Sequence, residues 1–144
     1  MSDMEEGVKE GVASQNPAEG VNPASNVGAA VVVLADMLFA SRVRATGAAC
    51  GVAVVTVSRP DRFLDQSKAL PARLLIMDLE VHGHDVAALI RAVKADAALR
   101  DIPLVAFASH LNAAAIAGAR AAGADRVLAR SAFVELLPRL LSET

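Results

Sequence analysis

Cysteine is nearly absent from this chain of 144 residues, which contains only Cys50. A single cysteine excludes an intramolecular disulfide and fits a reducing compartment, so we expect Cys50 to pack as a small buried hydrophobe. Tryptophan and tyrosine are missing altogether, and all four aromatic residues are phenylalanine. The core must therefore be built mainly from Val, Leu, Ile and Ala, which suits a parallel sheet buried on both faces.

Other missing features narrow the classes of function. The net charge of -2 gives no strong attraction to nucleic acid or to a membrane surface. No apolar run approaches the roughly 20 residues of a membrane span, and the acidic N-terminus lacks the order of a signal peptide. No glycine-rich phosphate loop follows the first apolar run, and no Ser-His-Asp set is spaced persuasively. We therefore expect a cytoplasmic protein that is not an enzyme and binds neither nucleic acid nor membrane. That the protein is an enzyme or a nucleotide binder is the least favoured of the alternative hypotheses.

The chain divides into a tail and one domain. Residues 1–28 are dominated by Gly, Pro, Asn, Ser and Glu, and residues 1–30 carry five acids and one lysine. Such a segment cannot bury enough apolar surface to offset its ordering entropy, so 1–28 is predicted to be a disordered tail. Residues 29–144 have the length and apolar content of a single domain.

Within the domain, five short apolar runs alternate with five helical patterns. The strands are predicted at 30–35, 52–57, 73–78, 104–108 and 126–129. Asp85 is expected to cap the third helix, Gly123 to end the fourth and Ser131 to cap the fifth. Right-handed crossovers convert this alternation into an α/β fold with a doubly wound, five-stranded parallel sheet.

Charged residues follow three of these strands directly. Asp36 follows the first strand, Asp78 closes the third, and Arg130 follows the fifth. The carboxyl ends of parallel strands share one edge of a sheet, where ligands collect. The sequence therefore predicts that two acids and one base converge in a polar site at this edge.

From about residue 30 to residue 141 the chain resembles the receiver domain of bacterial two-component response regulators. The features that carry the resemblance are Asp78 at the end of the third strand, Ile102-Pro103 before the fourth, Gly123-Ala124 before the fifth, and Arg130 after it. The resemblance implies a flavodoxin-like three-layer sandwich with strand order 2-1-3-4-5. It also implies a single-domain, response-regulator-like protein in phosphorelay signal transduction.

The resemblance assigns roles at the sheet edge. Asp78 corresponds to the phosphoacceptor, and Arg130 stands where a cation contacts the phosphoryl group. Mg²⁺ would be held by Asp36, Asp78 and the backbone carbonyl of Glu80, in keeping with its demand for oxygen ligands. A histidine kinase or phosphotransfer protein would supply the phosphoryl group, and a separate partner protein would receive the output. A homodimer is a further partner that the sequence leaves open.

The chain also departs from the receiver pattern at several of its functional positions. Ala35 replaces the first of two adjacent acids, which weakens the expected Mg²⁺ site. Ala108 replaces the hydroxyl residue that ends the fourth strand, leaving Ser109 as a second-choice candidate. Val127 replaces the switch aromatic, and Arg130 replaces a lysine whose geometry it does not share. The alternative hypothesis is therefore a pseudo-receiver that binds partners without being phosphorylated.

Three candidate residues have alternative structural roles. Asp36 could serve only as a helix N-cap, and Arg130 could form an ion pair that neutralises Asp78. The spacing of His82 and His84 permits a shared zinc site, although no further ligands stand out and a polar loop is the favoured interpretation.

Overall fold

A computed structural model describes residues 30–81 and 85–143, along which five strands alternate with five helices. The strands are β1 Ala30–Leu34, β2 Val54–Val57, β3 Ala72–Asp78, β4 Leu104–Ala108 and β5 Arg126–Ala129. The helices are α1 Met37–Cys50, α2 Pro60–Ala69, α3 Val86–Ala95, α4 Ala113–Ala122 and α5 Arg130–Glu143. The predicted tail and the histidine pair lie outside these described residues.

The strands form one sheet in the order β2-β1-β3-β4-β5, and every neighbouring pair is parallel. This confirms the predicted architecture and strand order. The register aligns Leu34 with Met77 and Asp78 with Phe107. The last residue of β3 therefore lies at the carboxyl edge of the sheet, between the ends of β1 and β4.

The sheet is covered on both faces, which makes three layers. Successive side chains of a strand point to opposite faces, so alternate residues of β1 enter different cores. Val32 and Leu34 pack in a cluster with residues of α2, α3 and α4, whereas Val31 and Val33 pack with residues of α1 and α5. Strands buried on both faces explain the nearly continuous apolar runs in the sequence.

The core beneath the polar edge contains a stack of phenylalanine rings. The ring of Phe107 on β4 lies 4.3 Å from that of Phe133 on α5 and 4.8 Å from that of Phe39 on α1. These rings pack the N-terminal ends of α1 and α5 against the sheet. Cys50, expected to be buried, is half-buried instead, because it lies at the end of α1.

Polar side chains begin three of the helices, and glycine ends two of them. Asp85 accepts a hydrogen bond from the amide of Ala88 at 3.1 Å, which confirms it as the N-cap of α3. Gly123 ends α4 with a φ of 110°, a left-handed conformation that glycine adopts without strain. Both features were predicted from the sequence.

The expected N-cap of the fifth helix was wrong. Helix α5 begins at Arg130, directly after β5 ends at Ala129, so Ser131 lies inside the first turn. A cap residue needs a non-helical backbone, and no connecting residue is left here to supply one. The direct junction places Arg130 at the carboxyl edge of the sheet.

None of the helices formed by residues 30–81 and 85–143 is long and apolar enough to cross a membrane.

Candidate functional site

Asp78 is the centre of the polar edge. It is the last residue of β3, and only 2% of its surface is exposed. Its Oδ1 accepts a hydrogen bond from the backbone amide of Glu80 at 2.8 Å, which turns the chain away from the sheet. The sequence pattern predicted this location, because a strand flanked on both sides by other strands must end inside the cluster of loops.

Arg130 reaches Asp78 from the start of α5. Its Nη2 lies 3.4 Å from Asp78 Oδ1 and 2.9 Å from Glu80 Oε1, so one nitrogen faces two carboxylates. The guanidinium carbon lies 5.4 Å from the ring centre of Phe39 and 5.1 Å from that of Phe107. Such distances allow cation–π attraction to both rings. The ion pair that the sequence offered as an alternative role for Arg130 is therefore present.

The carboxylate of Glu80 connects three parts of the chain. Besides Arg130, it accepts a hydrogen bond from the Ser109 amide at 3.1 Å and one from Asn112 Nδ2 at 3.0 Å. Asn112 also caps α4 through its Oδ1, which accepts from the amide of Ala115 at 3.2 Å. Glu80 thus ties the loop after β3 to the loop after β4 and to α5.

Sequence reasoning named the carbonyl of Glu80 and missed the role of its carboxylate. It also missed Asn112 and the contact of Phe39 with Arg130. A signal for Glu80 was available, since an acid two residues beyond Asp78 must lie at the same sheet edge as the other loops. Nothing local in the sequence indicates that it points toward the loop after β4.

The buried carboxyl of Asp78 has a perturbed ionisation. Burial raises its pKa, and this effect exceeds the lowering by the Glu80 amide and by the charge of Arg130. The carboxylates of Glu80 and Asp36 raise the pKa of Asp78 further. The pKa of Glu80 moves down instead, chiefly because Asn112 donates to its carboxylate. The pKa values of the two acids therefore shift in opposite directions, and the site favours the ionised form of Glu80.

Asp36 is exposed and caps helix α1. Its Oδ1 accepts a hydrogen bond from the amide of Phe39 at 2.8 Å. The N-cap role that the sequence offered as an alternative is thus filled. Asp36 still acts on Asp78 through its charge, because it raises the pKa of that carboxyl.

Several of the oxygens expected to bind Mg²⁺ at this edge are bonded to protein groups in the arrangement described. Mg²⁺ needs a nearly octahedral shell of oxygen ligands. Ala35 offers no carboxylate, Oδ1 of Asp36 is bonded to an amide, and Oδ1 of Asp78 is shared by an amide and Arg130. Among the described residues, no three acidic, histidine or cysteine side chains are grouped so that they could hold a metal ion. The positive charge beside Asp78 comes from Arg130.

The positions expected to respond to phosphorylation carry small aliphatic groups. Ala108 ends β4 and is fully buried in the core cluster that contains residues of α2, α3 and α4, so this position offers only a methyl group. The Ser109 hydroxyl accepts a hydrogen bond from the Leu111 amide at 3.2 Å, while its own amide bonds to Glu80. Val127 on β5 is half-buried and packs against the core. No hydroxyl or ring from these positions contacts Asp78.

The comparisons with known proteins agree on fold alone. No family model and no curated protein matches the sequence. Among solved structures, the chemotaxis response regulator CheY4 of Vibrio cholerae is similar, with a TM-score of 0.69 and 16% identity over 81% of this chain and 97% of that one.

Two further receiver structures agree. The receiver domain of NtrX from Brucella abortus gives a TM-score of 0.65 and 21% identity over 79% of this chain and 98% of that one. The third structure is the receiver domain of the sensor histidine kinase PA1611 from Pseudomonas aeruginosa PAO1, which has magnesium coordinated in its active site cleft. It gives a TM-score of 0.66 and 16% identity over 81% of this chain and 98% of that one. The chain therefore has the flavodoxin-like fold of response regulator receiver domains.

Proposed function

We propose that this chain is a response-regulator-like signalling module that works by binding partner proteins, without phosphorylation of Asp78. The observation that carries the proposal is the position of Arg130, whose Nη2 lies between Asp78 Oδ1 and Glu80 Oε1. A guanidinium in this position supplies internally the positive charge that a bound cation would otherwise bring. The site can then hold one conformation without metal or phosphoryl group.

The chemistry of Asp78 supports this interpretation. A carboxyl group attacks phosphorus as its anion, and burial raises the pKa of Asp78 and so disfavours that anion. Arg130 and the Glu80 amide both occupy Oδ1. Ala108 offers no hydroxyl to a phosphoryl oxygen, and Ala35 offers no carboxylate to Mg²⁺.

The proposed partners are proteins of a two-component pathway. A histidine kinase or phosphotransfer protein is one class, and an output protein is the other. We place the output contact on the surface from α4 to α5, where α4 consists largely of alanine. Small side chains there let a partner backbone approach closely. Self-association into a homodimer is a further form of the same proposal, and light scattering tests it.

Phosphorylation of Asp78 is the second candidate function. Both hydrogen bonds that the described residues donate to Asp78 end on Oδ1, so Oδ2 receives none from them. In this alternative, Oδ2 attacks the phosphorus of a phosphohistidine on the partner protein, the P–N bond breaks and the imidazole leaves, while Arg130 contacts the phosphoryl oxygens. Mg²⁺ would be held by Asp36, Asp78 and the Glu80 carbonyl, as the resemblance to receiver domains implies.

Intact-mass analysis separates the two candidates. The full chain is incubated with acetyl phosphate and Mg²⁺, beside Asp78→Asn and a receiver known to be labelled. We expect no phosphoryl adduct on the wild-type chain while the control receiver gains one. An adduct on the wild type that is lost in Asp78→Asn would overturn the phosphorylation-independent proposal and establish the second candidate.

A further inference from the structure

An open cleft of about 610 Å³ lies beside the Asp78 site, between α1, the loop after β4 and the start of α5. We call it the Arg42 cleft. Six residues line it: Arg42, Ser109, His110, Arg130, Ser131 and Val134. Its volume falls within the range of roughly 300 to 1,000 Å³ that is usual for small-molecule sites.

The lining of the Arg42 cleft carries positive charge and no negative charge. Two arginines contribute this charge, His110 adds the nitrogens of its ring, and none of the six residues is acidic. Within residues 30–81 and 85–143, the side chains of Arg42 and His110 have no described hydrogen bond or ion pair. The described residues therefore leave these donors unpaired, in a chain whose net charge is negative.

The donors approach the cleft from three elements of the fold. Arg42 lies on α1, His110 on the loop after β4, and Arg130 and Ser131 in the first turn of α5. The first turn of a helix also has backbone amides without helical partners and a partial positive charge, which add to the side-chain donors. Val134, one turn further along α5, supplies an apolar wall.

From this arrangement we propose that the Arg42 cleft binds a small organic anion with a phosphate or carboxylate head and an apolar body. The head would lie among Arg42, His110 and the start of α5, because arginine donors match both kinds of oxyanion. The apolar body would contact Val134. This site goes beyond the proposed signalling function and does not depend on whether Asp78 is phosphorylated.

Binding in the Arg42 cleft would also reach the Asp78 site. Arg130 lines the cleft and contacts both Asp78 and Glu80. An anion that attracts this guanidinium competes directly with the Glu80 carboxylate for it. Occupation of the cleft would then loosen the connection between Glu80 and α5.

A titration of the full chain with phenyl phosphate and with benzoate, followed by amide NMR at constant ionic strength, tests the proposal. We expect saturable shifts at His110, Ser131 and Val134 with at least one of the two probes. Arg42→Ala should weaken that binding about tenfold, since one charge-assisted contact is lost. Arg91→Ala is the matched control, because Arg91 is an exposed arginine on α3, across the sheet, and its loss should leave the affinity unchanged.

The probes also identify the head group. Binding of phenyl phosphate alone supports a phosphate ligand, and binding of benzoate alone supports a carboxylate ligand. Benzyl alcohol keeps the ring without the charge and should not compete. The proposal is overturned if neither anion gives saturable shifts at millimolar concentration, if benzyl alcohol binds equally well, or if a correctly folded Arg42→Ala binds like the wild type.

Discussion

Replacing Arg130 with methionine is the sharpest test of how the site is held together. Methionine keeps a long, flexible apolar side chain against the core while removing the charge and all hydrogen-bond donors. The variant loses the contact with Glu80, the contact with Asp78 and the cation–π attraction to two rings. It also leaves a carboxyl group that is 2% exposed without its neighbouring cation.

The expected destabilisation follows from these contacts. The pair with Glu80 contributes only about 0.5 kcal/mol, because both side chains are partly exposed, 35% for Arg130 and 28% for Glu80. The two ring contacts contribute roughly 0.5 kcal/mol each at such a site. Separation of the buried Asp78 from its cation adds about 0.5 kcal/mol more, limited because the carboxyl can take up a proton. The variant should therefore lose about 2 kcal/mol, or roughly 7 °C in Tm for a domain of this size.

Urea unfolding followed by far-UV circular dichroism measures this loss, because the chain has neither tryptophan nor tyrosine for fluorescence. A double-mutant cycle with Asp78→Asn isolates the contribution of the Arg130–Asp78 pair: in the Asn background, Arg130→Met should cost about 1.5 kcal/mol, roughly 0.5 kcal/mol less than in the wild-type background. Arg91→Met serves as the control for an exposed arginine. A loss below about 0.5 kcal/mol, or an equal loss in both backgrounds, would refute the view that Arg130 is the cation of this site.

Two further predictions concern the buried acid and the glycines of the helices. Because burial raises the pKa of Asp78 above 3.8, the folded state binds its proton more tightly, so the contribution of Asp78 to wild-type stability should fall as pH rises from 3.8 through the folded pKa. Asp78→Asn should lack this fall and should therefore be more stable than the wild type at neutral pH. Urea midpoints of both proteins across pH measure the effect, and a difference in midpoint that does not change with pH would contradict it. Gly47→Ala should cost about 2 kcal/mol, because a Cβ there collides with Val54, whereas Gly118→Ala should gain up to about 1 kcal/mol, since its nearest neighbour, Ala87, is 3.9 Å away. Thermal melts of the two variants measure these changes in stability. Equal effects would show that Val54 moves and relieves the collision with the new Cβ.

Local patterns of residues were sufficient to predict the architecture. The strand predicted at 73–78 became β3 Ala72–Asp78, and the run predicted at 104–108 became β4 with the same bounds. Helix ends were predictable where one side chain or one glycine determines them, as at Asp85 and Gly123. The cap expected at Ser131 failed because β5 passes into α5 without a loop, and no local preference signals such a junction.

The candidate site was predictable in location and less so in connectivity. Parallel strands bring Asp36, Asp78 and Arg130 to one edge, and the structure has Arg130 in contact with Asp78. The direction of the Asp36 side chain could not be predicted, because an N-cap and a metal ligand require the same residue type at the same position. In the structure, the carboxylate of Asp36 accepts a hydrogen bond from the amide of Phe39.

The sequence by itself determined a parallel sheet with an acid at its central carboxyl edge, because strand and helix periods and apolar runs are local properties of the chain. Only the tertiary structure decided that Arg130, fifty residues from Glu80, bonds to that side chain and lies on the rings of Phe39 and Phe107. Contacts over such separations depend on how helices pack and on which rotamers remain free once they do. The balance of charge at Asp78 is therefore a property of the folded chain.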